Sequence, residues 1–145
     1  MPTAFHLKHH YITFAMMLAV TLLISSCAKT IQFQSSQLVP AARGTVKYKK
    51  DKNKNYLINI HLVNLAESNR LTPPRKVYVV WMETQDDRTK NIGQIISGSQ
   101  FMSKKLKASF ETSSAFKPRR IFISAEDEAT TPYPNLPIIL STGSF

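Results

Sequence analysis

Thr45-Val-Lys-Tyr-Lys-Lys50, Asp51-Lys-Asn-Lys-Asn55 and Tyr56-Leu-Ile-Asn-Ile-His-Leu-Val-Asn-Leu65 run consecutively, two alternating segments joined by a polar one. Successive side chains of a strand point to opposite faces. Val46, Tyr48, Tyr56, Ile58, Ile60 and Leu62 therefore share one face, and the lysines and asparagines between them share the other. A two-residue period interrupted by turn formers predicts a β-hairpin with one buried side.

The same alternation continues downstream. Residues 65–75 break the pattern with Asn69, Pro73 and Pro74, and residues 76–84 resume it as the uninterrupted run Val77-Tyr-Val-Val-Trp-Met82. A strand with no polar alternation is one covered on both faces, so this one is expected at the centre of a sheet. Residues 86–90 form a charged turn and 91–96 a short strand. Leu106, Ala108 and Phe110 alternate in a fifth strand, Ile121, Ile123 and Ala125 in a sixth over 119–126, and 137–142 closes the chain. Seven short strands without helical periodicity, with turns every 8 to 15 residues, predict an all-β fold, a seven-stranded immunoglobulin-like β-sandwich. A partly open barrel of the same strands is the alternative.

Only residues 38–145 are assigned to that domain, enough chain for one modest core. The first 26 residues differ in kind. Lys8 and three histidines precede a charge-free stretch that ends at Ile24, which is the layout of a secretory signal peptide. From Tyr11 to Ile24 the apolar stretch counts 14 residues, short of the roughly 20 needed to span a bilayer. Residues 27–37, polar except for Ile31 and Phe33, are read as a flexible tether.

Ile24-Ser25-Ser26-Cys27 resembles the lipobox of bacterial lipoproteins, although that pattern more often has leucine where Ile24 stands. The resemblance implies cleavage before Cys27 and lipid on its thiol. The expectation is a mature protein anchored in the cell envelope, in the outer membrane facing the periplasm, since Ala28 is not the aspartate that retains many such proteins at the inner membrane. Cys27 is the sole cysteine, so no disulfide supports the domain.

The second half resembles the extracytoplasmic domain of anti-sigma-K factors. The likeness covers residues 77–142 and rests on Tyr78-Val-Val-Trp81, Asn91-Ile-Gly93, Ile121-Phe-Ile-Ser-Ala-Glu126 and Pro134-Asn-Leu-Pro137-Ile-Ile-Leu140. It implies a shared fold. The zinc-binding segment that holds a sigma factor and the membrane-spanning helix of that family have no counterpart here, and Asp127-Glu128-Ala129 replaces the usual glycine pair. Sigma-factor inhibition is therefore not expected.

Catalytic groups are sparse, and an enzyme is not expected. His6, His9 and His10 lie in the signal peptide, which leaves His61 on the outward face of a strand, where a solvated imidazole is the simpler reading. One histidine and an acylated cysteine cannot supply the usual nitrogen and sulfur ligands of a metal. Asp86-Asp87 and Glu126-Asp127-Glu128 lack the spacing of a calcium loop and are read as solvated acidic turns. Four glycines, none in a phosphate-binding pattern, point away from nucleotides. No cofactor is expected. Trp81, inside an apolar strand, is read as packing, not as a sugar-stacking platform.

Charge is the unusual property. Of 19 lysines and arginines, 18 remain without Lys8, against 9 acids, a net of +9. Lys47, Lys49, Lys50, Lys52 and Lys54 crowd one hairpin, with Lys104, Lys105 and Lys107 at the start of one strand and Lys117, Arg119 and Arg120 at the start of another. Lysine-rich edges also keep sheets from pairing with foreign strands. Beside that reading stands a non-catalytic binding or structural role, in which the five hairpin lysines meet anionic lipid, lipopolysaccharide or acidic glycan. The other expectation is a regulatory or assembly module that docks an envelope protein by its sheet edge. An exported, tethered domain has little access to nucleic acid.

Overall fold

A computed structural model describes residues 28–95, 107–135 and 137–145. Among these described residues eight strands follow one another: β1 (Lys29–Gln32), β2 (Arg43–Lys50), β3 (Tyr56–Val63), β4 (Val77–Thr84), β5 (Thr89–Ile95), β6 (Lys107–Ser114), β7 (Pro118–Glu126) and β8 (Ile138–Ser141). A 3-10 turn, Ser68–Arg70, separates β3 from β4. The strands form two antiparallel four-stranded sheets in the orders β1-β2-β3-β6 and β5-β4-β7-β8.

The seven strands expected from periodicity correspond to β2 through β8, and β1 is an addition. It occupies part of 27–37, which was expected to be a flexible tether. The correction has its cause in partner strands. Ile31 stands opposite Val46, and Phe33 is buried beyond it. Phe33 N donates to Gly44 O at 3.0 Å and Gln34 N to Ser141 O at 2.8 Å. Phe33 also bridges Thr142. The chain thus leaves the edge of one sheet and is stitched to the edge of the other. Gly44 permits this crossing, because a Cβ there would come within 2.5 Å of Leu62 Cδ2 and 3.0 Å of Phe33 Cδ2.

The main core lies between the sheets. Val46, Ile58, Ile60 and Leu62 from the first meet Tyr78, Val80, Met82, Ile121 and Ile123 from the second, all 0–1% exposed. Each such side chain contributes about 1.5 to 3 kcal/mol on leaving water. Tyr78 carries its hydroxyl into this region and donates to Ala66 O at 2.8 Å. Burial pushes its phenol up to about 12.

β4 lies between β5 and β7, as its uninterrupted apolar run required. Its outward side chains form a second, smaller cluster of Val77, Val79 and Trp81 with Phe122, packed against Ala129 and Ile138. The cover over this face comes from residues 127–135 of the β7–β8 connection, held in part by Asn91 Nδ2, which donates to Ala129 O at 2.8 Å. Beside Asn91, the β4–β5 register shifts between Val80 and Trp81. Gly93 stands there with φ +139°, against the ring of Phe110 from β6. The bulge leaves Ile92 unpaired, and the missing side chain of Gly93 next to it lets the two sheets approach at this side.

Candidate functional site

The β2–β3 turn is tied together by its own acid. Asp51 N donates to Asn55 O at 2.8 Å, Asn55 N to Asp51 Oδ1 at 2.8 Å, and Lys54 N to Asp51 O at 3.2 Å. Lys54 sits at φ 66°, the left-handed conformation that reverses the chain. Because Asp51 is engaged by backbone, it does not pair with the lysines around it. Lys47 and Lys49 point away from the core, as alternation predicts, and Lys52 and Lys54 extend from the turn; all are exposed. Lys50, on the inward side of the register, reaches over the Tyr56 ring, with Nζ 5.6 Å from its centroid.

All nine carboxylates of the chain belong to described residues, and every ion pair among the described residues is made by an arginine. Arg119 bridges Asp87 at 2.5 Å and Glu83 at 3.5 Å, and Arg120 meets Glu83 at 3.0 Å. Arg88 meets Asp86, whose carboxyl is held below its usual range first by a hydrogen bond from Thr84. Arg70 takes Glu67, and Arg75 takes Asp127. The planar guanidinium fork suits carboxylates, whereas a lysine keeps a hydrated point charge. The five hairpin lysines are thus left without an acidic partner among the described residues.

No family model, no curated protein and no solved structure matches this chain.

The fold gathers around the hairpin turn groups that lie far apart in sequence. Lys29 opens β1 opposite Tyr48. Tyr56 pairs with Ser114, so β6 ends beside the hairpin turn; Thr84 pairs with Pro118, which brings the β4–β5 and β6–β7 turns to the same end. Phe145 closes that end from the core side, stacked on Tyr48 at 5.3 Å, with its N–H donating to Arg119 O at 2.8 Å. Phe116, in the β6–β7 turn, is 37% exposed, and Arg88 and Lys90 lie over its ring at 4.8 Å and 4.4 Å. Lys29 and Phe116 are absent from the sequence-based site, one assigned to a tether and the other outside any periodic run.

Cys27, Lys104, Lys105 and Leu106 lie outside the described residues, as does Ile96 at the end of the strand expected over 91–96. His61 is exposed on β3, with Nδ1 3.1 Å from Ser109 Oγ. Glu126 departs from the solvated acidic turn expected of it: it is 0% exposed on the outer face of β7. Its Oε1 accepts from the Ser124 hydroxyl and from Asn135 N, the latter at 2.8 Å, and its Oε2 accepts from Asn135 Nδ2 at 2.6 Å. Asp127 and Glu128 are exposed, as expected. At the opposite end from the lysines, Leu38, Val39, Leu71, Pro73 and Ile139 line an open apolar hollow of about 360 Å³. Arg70 and Arg75 at its rim are both committed to acids.

Proposed function

We propose that residues 27–145 form a lipid-anchored envelope protein, a non-catalytic binding or structural module whose lysine-rich hairpin meets anionic material at the membrane surface. The observation that carries the reading is the set of exposed hairpin lysines with no acidic partner. Near an anionic membrane each can contribute about 1 kcal/mol, and at physiological ionic strength the attraction reaches about 8 Å. A lipid on Cys27 would hold the domain within that reach, which turns several weak contacts into one intramolecular event.

We infer further that the sandwich is immunoglobulin-like. Taken as strands A, B, C, C′, E, F and G, β2 through β8 give the orders A-B-E and C′-C-F-G, with β1 added beside A. The likeness to anti-sigma-K factors is carried no further than this shape.

A chain that begins at Ala28 retains all eight strands. It should cosediment with phosphatidylglycerol-containing vesicles at low salt and leave them near about half-molar salt, where screening shortens to a few ångströms. The variant with Lys47, Lys49, Lys50, Lys52 and Lys54 changed to glutamine should bind much less. Equal binding by both proteins would reduce these lysines to solubilising residues, and salt-resistant capture of an envelope protein would favour docking by a sheet edge. In the full chain, Cys27→Ser should abolish metabolic lipid labelling and release or leave uncleaved the protein; unchanged labelling would refute the anchor.

A further inference from the structure

We propose that the whole end of the sandwich formed by the β1 start and the β2–β3, β4–β5 and β6–β7 turns is a bilayer-seating face, with Phe116 as its apolar contact. This inference rests on the anionic-surface reading above and adds to it an orientation, a boundary and a residue of a different chemical kind. The occupant is an anionic phospholipid bilayer.

Chain geometry gives the first argument. Lys29 is the first residue of β1 and lies opposite Tyr48, close to the hairpin turn. Cys27 precedes it by two positions, and two extended residues reach at most about 7 Å. A chain entering the domain from a membrane-held cysteine therefore enters at this end. Residues 29–34 of the stretch read as a flexible tether are instead taken up by β1 and its crossing to β8, so the anchor leaves the domain little freedom to present another face.

Charge selection gives the second. At this end Glu83, Asp86 and Asp87 are each held by an arginine, and Asp51 is held by Asn55. Lys29, Lys49, Lys52, Lys54 and Lys117 are exposed and have no acidic partner among the described residues. Three acids of this end are thus paired with arginines and Asp51 is turned into the backbone of its own turn, while the lysines stay exposed, Lys29 with its Nζ 5.6 Å from the Phe145 ring centroid. At the other end Asp127 and Glu128 are exposed, Asp127 being paired with Arg75.

Phe116 gives the third. A phenyl ring 37% exposed at the tip of a turn, with the cations of Arg88 and Lys90 over it, brings apolar surface and positive charge to one point. At a bilayer that point can divide its parts, the ring entering the headgroup region while the cations stay with phosphates. Of the other large exposed apolar side chains among the described residues, Leu38 lies in the β1–β2 connection and Tyr133 in the β7–β8 connection.

The test uses the chain from Ala28, which contains no cysteine, so that Phe116→Cys and Leu38→Cys each accept one environment-sensitive fluorophore. With phosphatidylglycerol-containing vesicles, the label at position 116 should shift to the blue and be quenched by spin-labelled lipid, and the label at position 38 should do neither. Unlabelled Phe116→Ser should bind the same vesicles about tenfold more weakly, the share of one aromatic side chain leaving water. Failure of the unlabelled parent to bind would overturn the anionic-surface reading and this inference together. Lysine-dependent binding with the label at position 116 still in water, or with position 38 buried instead, would overturn the orientation alone.

Discussion

Trp81→Ala is expected to lower the free energy of unfolding by about 3 to 5 kcal/mol, the range for truncating a large aromatic in a core. Trp81 is 0% exposed, yet it lies on the outer side of β4, beneath the β7–β8 connection and outside the intersheet core. Its ring stacks on Phe122 with centroids 6.2 Å apart and an interplanar angle of 14°, and Nε1 donates to Ser124 Oγ at 2.7 Å. Truncation would open a cavity between sheet and loop and remove a donor from a buried serine. Val46, Ile58, Ile60 and their partners across the sandwich would remain, so the variant should fold but unfold at markedly lower urea. Trp81→Phe, which keeps an aromatic surface and loses the N–H, should cost less than the alanine variant. Circular dichroism of urea unfolding reads both, and a Trp81→Ala midpoint equal to the parent's would contradict this account.

The position of Trp81 shows how far the sequence could be read. Six consecutive apolar residues told that β4 would be covered on both faces, and the structure agrees. They did not tell that the second cover is a loop, because nothing in 127–137 alternates. The hairpin was legible for a complementary reason: apolar side chains recur at alternate positions in both strands, which fixes the outward face of Lys47 and Lys49 once Val46 and Ile60 are buried. β1 was not legible. Its stability comes from hydrogen bonds to β2 and from the crossing to β8, partners far away in the chain, while its own composition is that of a spacer.

The charge pattern divides in the same way. The outward direction of Lys47 and Lys49 follows from local alternation, but which cations would be neutralised does not. Arg119 reaches Asp87 and Glu83 only because β7 pairs with β4. The meeting of the hairpin turn with Lys29, Lys117 and Phe116 depends equally on topology, since β6 pairs with β3 in one sheet and the chain then crosses to the other. Glu126 was hidden by its neighbours. Read as the start of Glu126-Asp127-Glu128 it belongs to an exposed turn; read with Phe122 and Ser124 at a period of two, it belongs to the outer face of β7 beneath the loop.

That placement makes Glu126→Ala the second large effect expected. The carboxylate is buried without a cationic partner among the described residues, and it is satisfied by the Ser124 hydroxyl together with the backbone and side-chain nitrogens of Asn135. Hydrogen bonds to a charged acceptor contribute about 1.5 to 3 kcal/mol each, and donors left buried without an acceptor add their own penalty. Removing the carboxylate should therefore destabilise the domain by about 3 kcal/mol, allowing for partial rehydration of Asn135, which lies near the surface. The damage should be local before it is global, because the same bonds hold residues 127–135 over Trp81. Limited proteolysis of the folded variant should then cut within that loop faster than in the parent, at a urea concentration where the sheets remain intact. Glu126→Gln should recover only part of the loss. It restores volume and one accepting oxygen, but its amide nitrogen then faces either the backbone nitrogen or Nδ2 of Asn135, two donors opposed. The Ser124 and Asn135 variants, combined with Glu126→Ala, should add little to it, since all three act through one network. A Glu126→Ala protein with the parent's midpoint and the parent's rate of loop cleavage would show that the buried carboxylate does not hold the loop.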